Sequence, residues 1–285
     1  MKEKRSNFVI GAVFVALVLS AAMPAEAQRD FEPLFDKFNF KLAGSWVGLT
    51  TEIRLDSEVL GRGTTLSFED DLGLSSGETI PTLAFEWQIA RKHKVGVRWQ
   101  DITRDSNAQA LTEIHWGGEI IPIDADITLG FDIAQLFVDY AYYPWVKDRW
   151  AAGFGLGFRT MDIQATLAYR GESGDEDIEG SSDVKGTAPL PYLYFEYRRL
   201  FSDNWRFTTG LGWLYIKIDD IEGGQFIGRV GIEYLAGKRW GFGAAINIAQ
   251  ASVDWTAISV EEGDLLSAAI DLDINDISVF ARVRF

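Results

Sequence analysis

Histidines are the first residues to consider for chemistry, because a hydrolase needs a general base and this sequence contains two His and no Cys. His93 lies in a basic turn, where we expect its charge to matter more than its basicity. His115 has Glu113, Asp124 and Asp126 nearby in the sequence, and a carboxylate beside an imidazole can orient it as a base. An ordinary surface histidine is the alternative, and we favour it over a catalytic site.

A second set of ionisable residues occupies alternate positions in strand-like stretches. Successive side chains of a strand point to opposite faces, so residues two apart share a face. By this parity one face carries both acids and arginines: Glu86, Arg98, Asp139, Arg159, Glu196, Arg198, Arg206, Arg229, Glu233, Arg282 and Arg284. We predict that they pair inside a poorly hydrated lumen, because an isolated charge is costly there. A narrow solute path and a catalytic role are the alternatives.

The stretch 171–185 concentrates acidic residues and is the candidate for a metal site. Clustered carboxylates can hold Ca²⁺ or Mg²⁺, and the weak candidates for ligands are Asp175, Glu176, Asp177 and Glu179. Their spacing matches no EF-hand loop. We therefore predict a solvated, mobile loop, with neither a metal site nor a cofactor.

Two glycine-containing motifs carry no chemistry. Residues 73–77 read Gly-Leu-Ser-Ser-Gly and match the nucleophile-elbow pattern, but that motif requires a strand-to-helix turn and no helical periodicity follows. Gly153, Gly155 and Gly157 alternate along one strand face and do not surround a phosphate. We expect this glycine stripe to clear space in the lumen.

Strands are the elements that must position these residues. The chain is a series of stretches with a two-residue period separated by turn residues, and no amphipathic helix of ordinary length is evident. This predicts one all-β domain with strands at 38–56, 64–90 with an irregular middle, 94–115, 120–143, 150–170, 187–200, 205–219, 226–235, 240–258 and 265–285. Ten strands result, and eight or twelve are alternatives because the region 64–77 can add or remove a hairpin.

The last ten residues show the alternation most clearly. Apolar Ile277, Val279 and Val283 alternate with charged residues that include Arg282, and the sequence ends on the aromatic ring of Phe285. A strand with one apolar and one charged face is typical of a barrel closed inside a membrane, with lipid outside and a polar lumen. Tyr and Trp beside the short turns indicate the aromatic girdle of such a barrel. We predict a single antiparallel transmembrane β-barrel over 38–285.

The other end of the sequence predicts export. Three basic residues precede an apolar stretch at 8–19, and Ala25-Glu26-Ala27 supplies the small residues of a cleavage site. We therefore expect a signal peptide at 1–27 and a periplasmic N-terminal segment at 28–37. The formal net charge of −15 argues against nucleic-acid binding, and the absence of Cys excludes disulfides and thiolate metal sites.

On these features the chain resembles the small monomeric outer-membrane barrels of the OmpA and OmpW type. A narrower resemblance is to a largely uncharacterised family of proteobacterial outer-membrane proteins with an EDDLGL motif. It rests on residues 68–74 (Phe-Glu-Asp-Asp-Leu-Gly-Leu), Pro81, Trp87, His93 and residues 101–104. The acidic turn Glu69-Asp70-Asp71 is unlike a simple membrane strand, and we expect it to fold into the lumen or to cap its mouth.

The resemblance implies a place in the bacterial outer membrane, contact with its lipids, and a monomer. The acidic stretch 171–185 suggests lipopolysaccharide as a partner, because Ca²⁺ or Mg²⁺ would bridge its carboxylates to lipopolysaccharide phosphates. The resemblance also implies insertion by the barrel-assembly machinery, which reads the C-terminal strand ending at Phe285 in proteins of this type. It brings no catalytic residue. We therefore expect a non-enzymatic envelope barrel. The alternatives are a narrow channel for small solutes and, third, a hydrolase of lipid A or peptides that uses His115.

Overall fold

The alternating sequence forms strands through most of the chain. The computed structural model describes residues 34–57, 61–116, 119–173, 176–218, 221–259 and 265–285, so the predicted signal peptide lies outside the described residues. The strands are β1 (Phe38–Ser57), β2 (Thr65–Ser67), β3 (Gly77–Ala90), β4 (His93–Gln109), β5 (Ile114–Trp116), β6 (Glu119–Ile121), β7 (Asp126–Val146), β8 (Trp150–Ser173), β9 (Glu176–Leu200), β10 (Trp205–Ile218), β11 (Ile221–Ala236), β12 (Trp240–Ser259) and β13 (Leu265–Arg284). In that part of the chain no helix is long and apolar enough to cross a bilayer.

Ten of the described strands close into an antiparallel ring. The order around it is β1, β3, β4, β7, β8, β9, β10, β11, β12 and β13, and β13 pairs back with β1 from Asn39↔Arg284 to Ser57↔Leu266. The amide nitrogens of Phe38 and Phe285 each donate to the other residue's carbonyl, at 3.1 and 2.9 Å. A closed ring has no free edge strand. The predicted all-β class and ten-stranded barrel are confirmed.

Three predicted strands are interrupted in the structure, and one of them, 120–143, divides into β6 and β7. The predicted strand 64–90 divides into the short β2 and β3, and the predicted strand 94–115 ends at Gln109 as β4 and resumes as β5. β5 pairs with β6 in a separate hairpin. Its apolar residues Ile114, Trp116 and Ile121 are buried, so the interruption bends this connection inward over the interior of the barrel.

The two ends of the barrel differ in their connections. One end, which we call the turn end, carries Phe38, Phe285 and the short connections 91–92, 147–149, 201–204 and 237–239. Gly237 lies in the last of these with a φ of 66°, a backbone conformation that favours glycine. The opposite end, the loop end, carries the connection from β1 to β3 and the hairpin β5–β6. We call the adjoining parts of the barrel the turn half and the loop half.

The polarity of the barrel reverses between its halves although the strand parity does not change. In the turn half of β1, Leu42 and Trp46 are each 55% exposed on the outer face, whereas Lys41 is buried inside. In the loop half, Val47, Leu49, Ile53 and Leu55 are buried inside, and the residues that face outward are Thr50, Glu52, Arg54 and Asp56. The polar lumen expected from the sequence therefore lies mainly in the turn half, and Thr51 and Arg104 are buried polar residues of the loop half.

The other strands show the same reversal. Exposed large apolar residues of the turn half include Leu136, Val138, Phe154, Leu156, Phe158, Leu193, Phe195, Leu211, Val230, Ile232, Phe242, Ile246, Ile277 and Val279. The exposed outer face of the loop half is polar and includes Thr103, Asp105, Thr128, Asp162, Thr166, Thr187, Ser252 and Asp271. One half of the wall thus presents hydrocarbon to its surroundings, and the other presents hydrogen-bonding and charged groups.

The segment from Phe68 to Leu74 fills the loop half from within. Phe68 and Leu72 are fully buried in the apolar core, and the Phe68 ring meets the Phe131 ring edge-on with centroids 4.9 Å apart. Gly73 adopts a φ of 66°, which turns the chain at that point. Within the EDDLGL residues, Leu72 and Leu74 are buried and Glu69 is half-buried, whereas Asp70, Asp71 and Gly73 are exposed, so only part of the acidic turn enters the lumen.

The glycine stripe makes room for large side chains. A Cβ on Gly157 would lie 2.0 Å from the Tyr192 ring, and one on Gly153 would lie 2.7 Å from the Tyr143 ring. A Cβ on Gly155 would lie 1.8 Å from the Tyr140 carbonyl oxygen of the neighbouring strand. The stripe therefore does not leave an open passage, because tyrosine rings and the adjacent backbone occupy the space.

Replacement of Phe68 by Ala tests the packing of the loop half. We expect Phe68→Ala to lower the free energy of unfolding by about 3–5 kcal/mol, because a fully buried ring is lost and a cavity remains. Leu111→Ala is the control, since Leu111 is 82% exposed and should change the stability little. Urea unfolding of protein folded in detergent measures both, and equal midpoints for the two variants would contradict the proposed packing.

Candidate functional site

The lumen of the turn half collects the charged residues singled out from the sequence. Seven of them are buried: Arg159, Glu196, Arg198, Arg206, Glu233, Arg282 and Arg284. The other four, Glu86, Arg98, Asp139 and Arg229, line a lumen cavity of about 70 Å³. All eleven therefore lie on the inner side of the wall, and we call them together with their partners the charged lumen.

Glu196 is the centre of the first group of contacts. Its carboxylate accepts hydrogen bonds from four side chains: Lys94, Tyr143, Tyr194 and Arg198. Arg198 also donates from Nη2 to Glu86 Oε2 at 3.1 Å, and Lys94 Nζ lies 3.9 Å from Glu86 Oε1. Two acids and two cations are thus held together with two phenols, which is how a buried charge offsets its loss of hydration.

Asp36 is the centre of the second group, at the turn end. Arg206 Nη2 lies 2.9 Å from its Oδ2 atom, and Arg282 and Arg284 approach it at 3.4 Å each. Glu233 pairs with both Arg206 and Arg282. Three arginines therefore share two carboxylates in a layer across the lumen.

The same layer ties down the described part of the N-terminal segment. Leu34 and Phe35 are buried, and the Phe35 ring meets the Tyr143 ring edge-on at a centroid distance of 5.0 Å. The Leu34 carbonyl accepts a hydrogen bond of 3.1 Å from Arg206 Nη1. Of the segment 28–37 predicted as a periplasmic extension, residues 34–36 lie inside the barrel and close its turn end.

A third group of contacts closes the lumen from the loop half. Arg104 pairs with Glu69 of the inserted segment and donates from Nη2 to Thr51 Oγ1 at 2.8 Å and from Nη1 to the Ser75 carbonyl at 3.2 Å. Glu69 Oε2 in turn accepts the Thr51 amide at 2.7 Å. The inserted segment is therefore anchored to two strands of the wall, and the lumen is obstructed from both ends.

The β-barrel architecture of this chain is similar to that of a solved outer-membrane protein. The barrel is similar to the outer-membrane protease OmpT of Escherichia coli, with a TM-score of 0.54 and 8% identity over 86% of this chain and 97% of that one. The toluene transporter TbuX of Ralstonia pickettii gives a TM-score of 0.37 at 10% identity, over 92% of this chain and 94% of that one. That score is too low to support an argument, and the likeness to OmpT concerns the fold alone.

Sequence comparison gives no further assignment. No family model matches the chain. No curated protein matches it either.

The histidines do not join the charged lumen. His115 Nε2 lies 3.0 Å from Glu113 Oε1, and both side chains are exposed. In the structure as described, neither Asp124 nor Asp126 lies within hydrogen-bond distance of the His115 ring. His93 Nδ1 lies 2.7 Å from the Tyr140 hydroxyl on the outer face. Among the described residues, each imidazole ring thus has a single polar side-chain partner.

The acidic stretch is a paired hairpin, so the prediction of a mobile loop over 171–185 was wrong. β8 and β9 remain in register as far as Ser173↔Glu176. On the outer face Asp183 accepts from Thr166 Oγ1 at 2.9 Å and pairs with Lys185 Nζ at 2.8 Å. Thr166 across the hairpin and Lys185 on the same strand offset the repulsion between Asp183 and the other acids. The loop prediction had depended on that repulsion.

The weak candidates for metal ligands do not converge where they can be described. Glu179 pairs with Arg170 at 3.3 Å, and both side chains are exposed. Asp175 lies outside the described residues, as do the side chains of Glu176 and Asp177. Among the side chains that are described, no group of three or more His, Asp and Glu could hold a metal ion.

Several members of the charged lumen were missed by sequence reasoning. Lys94 and Arg104 have the same parity as Arg98 on β4, and Lys41 faces inward on β1, so an extended parity count would have found all three. Asp36 has no such signal, because it precedes the first strand and belongs to no alternating stretch.

Replacement of Glu196 by Gln tests the charged lumen. Glu196→Gln preserves the shape of the side chain but removes a charge that compensates two buried cations. We expect the free energy of unfolding to fall by about 3–5 kcal/mol. The matched control is Glu179→Gln, whose exposed pair with Arg170 should contribute less than about 1 kcal/mol. Urea titration in detergent measures both, and similar losses would contradict the role of Glu196.

Proposed function

We propose that this protein is a non-enzymatic outer-membrane β-barrel of the bacterial cell envelope. Its turn half is the transmembrane anchor, and its loop half is a solvated barrel that projects from the membrane. The observation that carries the proposal is the reversal of polarity along the strands. An apolar outer face over a charged interior suits lipid surroundings, whereas a polar outer face over an apolar core suits water.

The strand lengths and the aromatic residues support this division. β1 has 20 residues and β9 has 25, more than the ~9–11 residues that a strand needs to cross the hydrocarbon of a bilayer. Exposed aromatic side chains near the turn end include Tyr140, Trp145, Trp205, Tyr234 and Trp240. Such rings prefer the boundary between lipid and water, which supports a turn end that lies at one membrane surface.

The obstructed lumen favours an envelope barrel over a channel. A solute entering from the turn end meets Leu34, Phe35 and Asp36, and one entering from the loop end meets Phe68 and Leu72. Tyrosine rings fill the space beside the glycines between these two closures. A narrow channel is the second candidate, and the cavity of about 70 Å³ in the charged lumen is the observation that favours it.

A hydrolase of lipid A or peptides is the weakest candidate. It would depend on His115, whose described partner is the exposed Glu113 at 3.0 Å. An exposed ion pair of this kind gives the imidazole neither a nucleophile nor a water-excluding pocket. The exposed surroundings of His115 therefore support a non-enzymatic function.

The remaining parts of the proposal concern export and assembly. We expect export through the signal peptide at 1–27, outer-membrane lipids and lipopolysaccharide around the barrel, and a monomer. The strand that ends at Phe285 closes the ring against β1. We propose that the barrel-assembly machinery binds this strand through Phe285 before the ring closes, since its pairing edge is free only at that stage.

Arginine substitutions in the two halves test the position of the membrane. Leu156 is 63% exposed on the outer face of the turn half, so Leu156→Arg should destabilise the barrel in phospholipid vesicles by about 2–4 kcal/mol. The control is Thr103→Arg, which places the same side chain on the polar outer face of the loop half and should have little effect. Equal losses, or wild-type protein that stays soluble without detergent, would contradict the proposed anchor.

Planar-bilayer recording separates the envelope barrel from the channel. We expect no stepwise conductance from the wild-type protein, because both ends of the lumen are obstructed. Arg170→Gln, which changes an exposed cation at the loop end, should behave in the same way. Conductance steps that change in Arg98→Gln but not in Arg170→Gln would contradict the closed lumen and support the channel.

A further inference from the structure

Four cations of the charged lumen lack a carboxylate partner. Lys41, Arg98, Arg159 and Arg229 face inward, and among the described residues none of them lies within 4.0 Å of an acidic side chain. This sets them apart from Arg198, Arg206, Arg282 and Arg284, each of which has an acidic partner. Buried charges are normally compensated, so this group requires an explanation.

The contacts that these cations do make compensate their charge only in part. Arg98 lies over the Phe137 ring at 3.9 Å from its centroid and donates to Asn247 Oδ1 at 3.4 Å. Lys41 Nζ lies 4.8 Å from the centroid of the Phe280 ring. Ring faces and neutral amides attract a cation, but they carry no net negative charge to balance it.

The side chains that line the cavity carry an excess of positive charge. Seven Lys and Arg side chains line it against four Asp and Glu side chains, although the whole protein carries a net charge of −15. The acids in the lining are already engaged, as Asp139 is by the Tyr192 hydroxyl and Glu196 by its four donors. The cavity is therefore an electropositive space inside an acidic protein.

Arg159 does not line the cavity, but it shares the Phe137 ring with Arg98, at 5.2 and 3.9 Å from the ring centroid. Arg159 is fully buried and donates from Nε and Nη2 to Gln135 Oε1 at 3.0 and 2.6 Å. Its Nη1 atom and the Nε2 atom of Gln135 have no hydrogen-bond partner in the described structure. Buried donors are nearly always satisfied, so Arg159 is a further incompletely compensated cation near Arg98, although it does not face the cavity.

We infer that the cavity binds a small oxyanion of the phosphate or sulfate class, held by Lys41, Arg98 and Arg229. The cavity of about 70 Å³ exceeds the roughly 10–15 Å³ that one water needs, so it has room for a small polyatomic anion. A guanidinium offers paired N–H donors that fit an oxyanion, and an ammonium adds a compact charge. Water would supply acceptors but no counter-charge. The inference rests on the closed lumen of the proposed function for the slow exchange of the anion, but not for its binding.

Because the lumen is obstructed at both ends, the anion is expected to enter during folding and to exchange slowly afterwards. The test refolds the full chain in detergent with radiolabelled orthophosphate and removes free label by gel filtration. The label restricts the count to added phosphate and excludes the phosphate of co-purified lipid. We expect about one phosphate per barrel, and a higher Tm than for protein refolded at equal ionic strength in gluconate, which is too large for the cavity.

Matched variants decide whether the retained label occupies this cavity. Arg229→Gln and Arg98→Gln should each lose most of the label and the phosphate-dependent rise in Tm. The control, Arg199→Gln, removes an exposed outward arginine and should retain both. Heat-modifiable gel mobility identifies the variants that have folded. Less than a tenth of a phosphate per wild-type barrel, equal retention in Arg229→Gln, or equal loss in Arg199→Gln would overturn the inference.

Discussion

The closed hydrogen-bonded ring is the constraint on which the rest of the structure depends. Once β13 pairs with β1, every residue of the ring is assigned to the inner or the outer face, and a shift of one residue in any strand would exchange the faces. The sequence can therefore change the polarity of a face along the strand without changing the fold. Lys41 and Ile53 both face inward on β1, and their different chemistry marks the two halves of the barrel.

Charge pairing in the turn half follows from this constraint. The lumen is too narrow for hydrated charges, so several carboxylates each serve more than one cation, as Asp36 and Glu233 do for Arg206 and Arg282. Glycines on neighbouring strands admit the large side chains that complete these contacts, and Gly241 lies directly against the Glu233 carboxylate. The wall and its contents are thus fitted to each other, and the charged lumen is a packed interior.

Sequence reasoning could predict whatever depends on local periodicity. Alternation and turn residues were sufficient for the ten strands and for the parity of residues such as Arg98 and Glu196. They were insufficient for ion-pair partners, because a contact such as that between Arg198 and Glu86 depends on the register of several strands around the ring. The positions of irregular segments could not be predicted from periodicity either. Asp36 and Phe68 lie outside the alternating stretches, and burial against distant strands determines where they lie.

In the proposed arrangement, the two halves use different interactions because their surroundings differ. In the loop half, water outside makes burial of apolar side chains favourable, so Phe68, Phe131 and Leu72 pack the interior as in a soluble domain. In the proposed membrane half, lipid on the outer face removes that advantage, because an apolar side chain gains little by leaving hydrocarbon for the lumen. The interior there is held by ion pairs and hydrogen bonds, which gain strength away from water. In the proposed arrangement, the interior of this barrel therefore changes from charged to apolar at the membrane surface.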